Sequence, residues 1–255
     1  LIVFLSAVIR LIGINKPLFT DEMIWGLITQ HRFMSIFTIL PTIDGFWFFP
    51  HPPFGPFAYL ISTSLFGLHV WSMRLVPFVF GIGTLVMTYL LAKKLYGRKT
   101  ALISLLIMGI SFWHILASLQ VDIDGAILSF LFTSFFYCLV MYEEKEDNLW
   151  KILSGLALGL SFLTKYASIF LPIIALIYFA YKKRNIRAVA HTLFPIFAIG
   201  AAIFLVFPII SLFFEKRMFL DTLMWGSRNV GRTFSIRPFI YILFYATPLL
   251  FGKAI

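Results

Sequence analysis

The chain has 255 residues, of which 60% are hydrophobic and 13% charged, and its mean hydropathy is +0.94. Soluble domains carry about 25% charged residues, so this composition excludes a water-soluble globular protein. The net charge of +10 comes from short basic clusters between apolar runs, a pattern typical of membrane topology rather than of a nucleic-acid-binding surface.

Apolar runs recur along the whole chain, and most approach the roughly 20 residues that a helix needs to cross a bilayer. They predict an all-α fold, a polytopic membrane helix bundle that forms one domain over residues 1–255 and is truncated at its C-terminus. One further apolar stretch, Phe54–Leu68, has only about 15 residues and fits a half-span or a helix lying in the interface. The predicted spans are Leu1–Ile14, Met73–Leu91, Ala101–Leu119, Ala126–Tyr142, Leu149–Leu163, Ala167–Tyr181, Ala190–Phe213 and Pro238–Phe251.

The basic clusters predict the orientation, because three short loops that carry them are placed in the cytoplasm by the positive-inside rule. These loops are residues 93–99, 143–151 and 182–187. All three fall on one side only if Phe54–Leu68 does not cross the membrane. Residues 15–72 then form a first external loop, with an amphipathic helix over Glu22–Arg32, and residues 214–237 form a later external loop.

Acidic side chains stand at the ends of predicted spans on the external side. Asp21 and Glu22 follow the first span, and Asp122 and Asp124 lie between the third and the fourth. Each of these sites could simply cap a helix N-terminus, where a carboxylate offsets the helix dipole. Alternatively, Asp21 is a general base whose pKa rises through partial desolvation, or Asp21, Asp122 and Asp124 hold a divalent cation together.

Two further residues indicate a polar site on the same side. His51 stands among prolines, which impose an extended approach to a helix start but do not account for the histidine itself. Lys165 ends the fifth predicted span, where it could snorkel to the interface or pair with a lipid phosphate at headgroup level.

Several motifs stand in an order that resembles one known family. They are Thr20-Asp21-Glu22, His51-Pro52-Pro53-Phe54, Phe66-Gly67, Arg74-Leu75, Leu95-Tyr96-Gly97-Arg98, Asp124 and Gly159-Leu160-Ser161-Phe162-Leu163-Thr164-Lys165. In order and spacing they resemble the GT-C glycosyltransferases, in particular the PMT-like group of protein O-mannosyltransferases and aminoarabinose lipid A transferases. The resemblance covers roughly residues 1–213.

The resemblance implies a GT-C-type seven-span module with juxtamembrane helices in the first external loop. The implied donor is a sugar on a polyprenyl or dolichyl phosphate, transferred with inversion to an acceptor hydroxyl of a protein, lipid or glycan. Asp21 matches the acidic position that acts as base or metal ligand in relatives, Glu22 is its usual neighbour, and Asp124 matches the second acidic landmark. Arg74 and Lys165 match basic positions suited to the donor phosphate.

Residues and resemblance together predict a hexosyl- or pentosyltransferase that works by in-line displacement at the outer membrane face, among membrane lipids and without nucleic acid. A prokaryotic plasma membrane is favoured over the endoplasmic reticulum. The alternatives are a secondary transporter, which would place ionisable residues near the membrane midplane, and a non-catalytic polyprenyl-lipid-binding protein. The predicted site comprises Asp21, Glu22 and Asp124 in catalysis, His51, Arg74, Lys165, Arg228 and Arg232 in substrate binding, and Asp21, Asp122 and Asp124 as ligands of an optional divalent metal ion.

Overall fold

A computed structural model of the protein describes residues 1–19, 22, 25, 42–43, 46–47, 52–183 and 185–214. Within these ranges the chain is almost entirely helical, and the exception is a short antiparallel pair of strands, β1 and β2. The strands are β1 Thr42–Ile43 and β2 Phe46–Trp47. The helices are α1 Ile2–Leu11, α2 Phe54–Phe66, α3 Val70–Tyr96, α4 Arg98–Ile110, α5 Phe112–Ala117, α6 Ala126–Lys145, α7 Asn148–Phe162, a 3₁₀ helix Tyr166–Ile169, α8 Phe170–Lys183 and α9 Ile186–Phe214.

Four helical segments in the described part of the chain are long and apolar enough to cross a membrane. They are Val70–Tyr96, Ala126–Lys145, Tyr166–Lys183 and Arg187–Phe213. The prediction of a polytopic helical membrane bundle is therefore confirmed. The predicted span Pro238–Phe251, the loop 214–237 beyond its first residue, and most of the helix predicted over Glu22–Arg32 lie outside the described residues.

The predicted span Ala101–Leu119 differs from the structure, which divides it into α4 and α5. Ser111 between them has an extended backbone (φ −60°, ψ 122°) and starts α5 as its N-cap residue. The apolar composition is continuous across this position, so the hydropathy pattern carries no sign of the break. Just before this break the carbonyl oxygen of Gly109 accepts from the Arg10 side chain of α1 at 3.2 Å.

The helices run between two ends of the bundle, and charged contacts identify each end. At one end, here called the basic end, Lys94 of α3 pairs with Glu144 of α6, and Lys182 of α8 pairs with Glu143 at 2.9 Å. The three basic loops therefore meet at the same end, as the predicted orientation requires. The opposite end, here called the loop end, contains residues 118–125, which connect α5 to α6.

Helix α2 has both of its ends at the loop end. At its start, the Phe54 N–H donates to the carbonyl oxygen of Leu163 at 2.9 Å, and the Tyr59 hydroxyl donates to the carbonyl oxygen of Asp122 at 2.6 Å. Past its end, Gly67 takes a positive φ of 81°, which glycine adopts without a Cβ penalty, and the chain turns into α3. A helix of 13 residues fixed in this way does not traverse the bundle, in agreement with the short Phe54–Leu68 segment predicted from the sequence.

Close packing between α7 and α9 sets the position of the second half of the bundle. A Cβ added at Gly155 of α7 would lie 2.6 Å from the Cβ of Ile199, and one added at Gly159 would lie 2.7 Å from the Cβ of Ile203. These two glycines, one helical turn apart, let the helix backbones approach closely, which is a common device of membrane helix pairs. The C-terminal half of α9 is thereby carried to the loop end, beside α2.

Candidate functional site

A buried ion pair stands at the loop end. Glu22 and Arg74 are joined at 3.0 Å between Oε2 and Nη2, and their side chains are only 6% and 7% exposed. The Glu22 carboxylate also accepts from two backbone N–H groups, that of Phe19 at 2.7 Å through Oε2 and that of Val121 at 2.8 Å through Oε1. Both oxygens of Glu22 are therefore engaged by fixed donors.

The Arg74 guanidinium ties together three separate segments of the chain. Its Nη1 donates to the carbonyl oxygen of Leu119 at 3.0 Å, and its Nη2 donates to the carbonyl oxygen of Pro17 at 2.9 Å as well as to Glu22. Arg74 stands in the second turn of α3, so this ion pair, here called the clamp, fastens Pro17, Phe19 and Glu22, together with Leu119 and Val121, to α3. Asp21 is the immediate neighbour of the clamped Glu22.

A second ion pair lies nearer the surface of the loop end. Lys165 and Asp124 are paired, and their side chains are 34% and 42% exposed. Lys165 follows the end of α7 in an extended conformation (φ −155°, ψ 138°), and Ser168 anchors the following 3₁₀ helix by donating from its hydroxyl to the carbonyl oxygen of Ser161 at 2.7 Å. The pair thus joins the α5–α6 loop to the turn between α7 and α8.

Asp122 is half-buried between the two ion pairs. Burial, reinforced by the nearby negative charge of Asp124, raises the pKa of the Asp122 carboxyl above its usual range. The Oδ1 atom of Asp122 accepts from the Ile123 N–H at 2.6 Å. A carboxyl with a raised pKa beside a partly exposed ion pair is typical of catalytic and binding sites, although structural networks produce the same effect.

An apolar groove of about 400 Å³ opens at the loop end between α2, the end of α7 and α9. It is lined by Pro53, Phe54, Phe57, Leu163, Ile203, Val206, Phe207 and Ile210. Leu163 of this lining is two residues before Lys165, so the chain runs from the groove wall to the Lys165–Asp124 pair, and this pair is here called the rim of the groove. A second apolar groove of about 370 Å³ lies on the other side of α2, against α3. The combination of an apolar groove and a charged rim suits a ligand with a long hydrocarbon tail and a polar head.

The structure brings five of the predicted site residues to the loop end, in two groups. Glu22 and Arg74 form the clamp, while Asp122, Asp124 and Lys165 lie together at the rim of the groove. The remaining predicted residues, Asp21, His51, Arg228 and Arg232, lie outside the described residues. All nine assignments of role remain predictions.

The predicted divalent metal site likewise remains a prediction. Within the described ranges, no three His, Cys, Asp or Glu side chains come together as a metal site. The Asp124 carboxylate is paired with Lys165, whereas the Asp122 carboxylate accepts a hydrogen bond from the Ile123 N–H and is not paired with a cation among the described residues. A metal held here would need Asp21, the third predicted ligand.

The buried polar pair of Arg10 and His114 was not predicted from the sequence. Arg10 is fully buried and its Nη2 lies 2.8 Å from His114 Nδ1. The available signal was an arginine and a histidine inside predicted spans, where an ionisable residue is costly and calls for a reason. Tyr59, which anchors α2 to Asp122, gave no signal because a tyrosine in an apolar run is ordinary.

The chain matches known proteins over most of its length. The sequence profile described as dolichyl-phosphate-mannose-protein mannosyltransferase matches residues 50–212, more than half of the chain. The provisionally named mannosyltransferase YkcB of Bacillus subtilis is 25% identical over 214 residues, which are 82% of this chain and 30% of that protein. Dolichyl-phosphooligosaccharide-protein glycotransferase 2 of Pyrococcus furiosus is 29% identical over 171 residues, which are 66% of this chain and 20% of that protein.

The fold is similar to that of ArnT from Cupriavidus metallidurans. The crystal structures of ArnT in the apo state and bound to undecaprenyl phosphate match with TM-scores of 0.67 and 0.68, at 18% and 17% sequence identity. Each match covers 86% of this chain and 43% or 42% of the ArnT chain. The predicted GT-C type of membrane fold is confirmed by this likeness, and the chain spans less than half the length of the relatives that it matches.

Proposed function

The chain belongs to the dolichyl-phosphate-mannose-protein mannosyltransferase family, and from this premise we propose that it transfers a sugar from a polyprenyl- or dolichyl-phosphate donor to an acceptor hydroxyl. The single observation that carries the proposal is the apolar groove whose wall at Leu163 is followed, two residues on, by Lys165 and its partner Asp124. The sugar is a hexose or a pentose, and the reaction inverts the anomeric carbon by a single in-line displacement. The acceptor belongs to a protein, a lipid or a glycan.

In this proposal the donor lipid lies with its tail in the groove between α2, α7 and α9. An apolar wall suits a polyprenyl chain, because the tail passes from the bilayer to the groove without losing apolar contacts and gains van der Waals packing. The phosphate then reaches the groove rim, where the partly exposed Lys165 ammonium neutralises the charge that develops on the leaving group. Arg228 and Arg232, predicted in the later external loop, supply further positive charge to the same phosphate.

Asp21 acts as the general base that removes the proton of the acceptor hydroxyl. Glu22 does not compete for this role, because both of its oxygens are engaged by Arg74 and by two backbone N–H groups. We therefore assign Glu22 and Arg74 to positioning: the clamp holds Pro17, Phe19 and Glu22, the described residues around Asp21 in the sequence. This revises the contacts predicted from the sequence, where Arg74 held the donor phosphate and Glu22 was catalytic.

The remaining acidic residues orient the acceptor or a metal ion. Asp124 holds Lys165 at the rim, and Asp122, with its raised pKa, is suited to accept a proton from a bound hydroxyl or water. If a divalent cation takes part, Asp21, Asp122 and Asp124 would hold it, and it would supply Lewis-acid polarisation of a phosphate or hydroxyl oxygen. His51, three residues before Phe54 in the sequence, completes the proposed substrate-binding group.

The loop end faces the outside of a plasma membrane in this proposal. The three basic loops meet at the opposite end, and the positive-inside rule assigns that end to the cytoplasm. The donor phosphate, the acids and the acceptor would then all meet at the outer face, where a secreted or surface acceptor is accessible.

Donor kinetics test the role of Lys165. Membranes that contain the protein are supplied with polyprenyl-phosphate sugar, and initial rates are compared for the wild type, Lys165→Met, Lys165→Arg and the control Lys151→Met at the basic end. A hydrogen bond to a charged group is worth about 1.5–3 kcal/mol, so Lys165→Met should raise the donor KM by about 10- to 150-fold. Lys165→Arg should retain most of the affinity because it keeps the charge.

The same measurement separates the alternatives. An unchanged donor KM in Lys165→Met, with transfer still occurring, would remove Lys165 from the phosphate site. Lipid binding without any sugar transfer would favour the non-catalytic polyprenyl-lipid-binding protein. Uptake of a solute by reconstituted protein, again without transfer, would favour the secondary transporter.

A further inference from the structure

Arg10 is a buried cation in the last turn of α1. Its Nη1 donates to the carbonyl oxygen of Ser6 at 2.8 Å and to that of Gly109 at 3.2 Å, and its side chain is fully buried. Among the described residues, no carboxylate pairs with it. A charged side chain buried in apolar surroundings destabilises the fold unless it is satisfied, so such a residue indicates a structural or functional role.

The second terminal nitrogen of the Arg10 guanidinium, Nη2, contacts the His114 ring of α5. Arginine has only donors, so the His114 Nδ1 atom, 2.8 Å from Arg10 Nη2, must be the acceptor. The ring is therefore neutral with its hydrogen on Nε2, a tautomer inferred from this contact. Protonating His114 would place two cations side by side in a buried environment, so the contact requires the neutral ring.

The pair lies at the break between α4 and α5. Gly109 is in the last turn of α4, where carbonyl groups lack their usual helical partners, and a cation at a helix C-terminus satisfies them and offsets the dipole. Arg10 thus bonds the end of α4 through Gly109 and the body of α5 through His114. An interrupted helix in an apolar slab is tolerated only where such partners replace the lost backbone bonds.

The broken helix leads directly into the loop that carries the candidate site. The Ser118 hydroxyl donates to the carbonyl oxygen of His114 at 2.6 Å, which continues the connection into residues 118–125. Gly13, one turn after Arg10, meets Leu119, since a Cβ there would lie 2.8 Å from Leu119 Cδ1. The carbonyl oxygen of the same Leu119 binds Arg74 of the clamp.

We propose that Arg10 and His114 are positioning residues for the sugar-transfer reaction: together they hold the α4–α5 break and thereby set the loop that carries Asp122 and Asp124. This inference rests on the proposed function for its kinetic consequence, but its structural part stands independently. Neither residue reaches the groove rim. Their effect is carried through α5 and the contact between Gly13 and Leu119.

A set of four variants separates positioning from packing. Arg10→Met and His114→Phe each leave one partner buried without the other, so both should lower the melting temperature in detergent. The double variant leaves neither side chain without its partner and should regain part of that loss, because an apolar pair replaces a buried polar one while the Gly109 carbonyl stays without its donor. His114→Asn places an amide oxygen near the Nδ1 position and should behave as the wild type.

Kinetics then distinguish the two roles. A displacement of about 1 Å at a catalytic group can cost about 10²-fold in rate, so the double variant, although stable, should lose about that much in kcat. Its donor KM should change little, because the groove and Lys165 are untouched. If the double variant is stable and retains the wild-type kcat, Arg10 and His114 contribute only to packing, and the proposal is overturned.

A crosslink reports on the loop without any enzyme assay. Gly13→Cys combined with Leu119→Cys removes the large side chain at the contact and places one thiol on each side of it, and the chain has a single native cysteine, the buried Cys138. Oxidation should link the pair rapidly in the wild-type and His114→Asn backgrounds and at least tenfold more slowly in the Arg10→Met/His114→Phe background. The control Lys183→Met, which removes a 2.7 Å contact with Thr192 at the basic end, should not slow it.

The two readouts fail separately. If the wild type transfers no sugar, the proposed function is wrong, while slower crosslinking in the double variant still supports the positioning of the loop. If crosslinking is equally fast in every background, the pair does not set the loop, and the positioning proposal is wrong whatever the enzyme does.

Discussion

Removing Arg74 is the most direct test of how the loop end is held together. In Arg74→Met the Glu22 carboxylate would remain buried with two backbone N–H donors but without its counter-ion, and the carbonyl oxygens of Pro17 and Leu119 would lose their donor. The pair is 7% and 6% exposed, so solvent cannot replace the missing charge. Breaking a buried ion pair by removing one partner costs about 3–5 kcal/mol.

An exposed ion pair in the same molecule provides the control. Lys94 and Glu144 at the basic end are 33% and 51% exposed, and a pair of that kind contributes about 0.2–1 kcal/mol because water and salt screen it. Lys94→Met should therefore have a small effect. For a chain of this size about 1 kcal/mol corresponds to about 2–4 °C in melting temperature, so Arg74→Met should lower it by about 6–20 °C and Lys94→Met by no more than about 4 °C.

The assay is thermal unfolding of the purified variants in detergent, followed by the loss of helical circular dichroism. Adding Glu22→Gln to Arg74→Met should restore part of the loss, because the neutral amide still accepts from one backbone N–H and no longer leaves a charge unpaired. Equal melting temperatures for Arg74→Met and Lys94→Met would refute the assignment of Arg74 to the clamp. Arg74 would then be free for the donor phosphate, as the sequence predicts.

Three further predictions concern the reaction, the pH dependence and the packing. Asp21→Asn should lower the transfer rate by about 10²–10⁴-fold without changing the melting temperature. The control Glu146→Gln at the basic end should leave the rate unchanged. A wild-type rate in Asp21→Asn would exclude Asp21 as the base. The raised pKa of Asp122 means that the folded state binds the carboxyl proton more tightly than the unfolded state does. The protonated Asp122 carboxyl therefore stabilises the fold below the ordinary aspartate pKa of about 4, and this stabilisation is lost as pH rises through the folded pKa. Asp122→Asn should accordingly raise the melting temperature near neutral pH but not below about pH 4, and a gain that is the same at both pH values would contradict the buried-carboxyl explanation. Gly155→Leu should destabilise the bundle by about 1–3 kcal/mol or more, because a Cβ at that position would already lie 2.6 Å from Ile199. An unchanged melting temperature in thermal unfolding would mean that α7 and α9 are not closely packed.

Most of the fold could be predicted from local properties of the sequence. The apolar runs gave helices whose bounds differ by a few residues from the predicted spans, for example Ala126–Lys145 against the predicted Ala126–Tyr142. The break at Ser111 could not be predicted, because the apolar run is continuous across it and the group that binds the Gly109 carbonyl beside it, Arg10, is about a hundred positions away in the sequence.

The candidate site was predicted in its composition but not in its pairings. Asp124 and Lys165 were both selected from the sequence, yet nothing in the spacing indicates that they bind each other across 41 residues. Arg74 was matched to the donor phosphate because the resemblance implies a basic group there. In the structure its guanidinium is buried against Glu22, 52 residues away, and this contact is the basis of the positioning role proposed for it.

The sequence by itself determined that this is an integral membrane protein, that it is helical, and that its basic loops lie on one side of the membrane. These properties depend on composition and on the length of apolar runs, which are local and additive along the chain. Only the tertiary structure decided which polar groups are partners and which are available. Helix packing brings Arg10 to His114 and Arg74 to Glu22, and leaves Lys165 with Asp124 at the partly exposed rim of an apolar groove. Such contacts depend on the relative position of whole helices, and in an apolar environment each unpaired polar group is costly enough to fix that position.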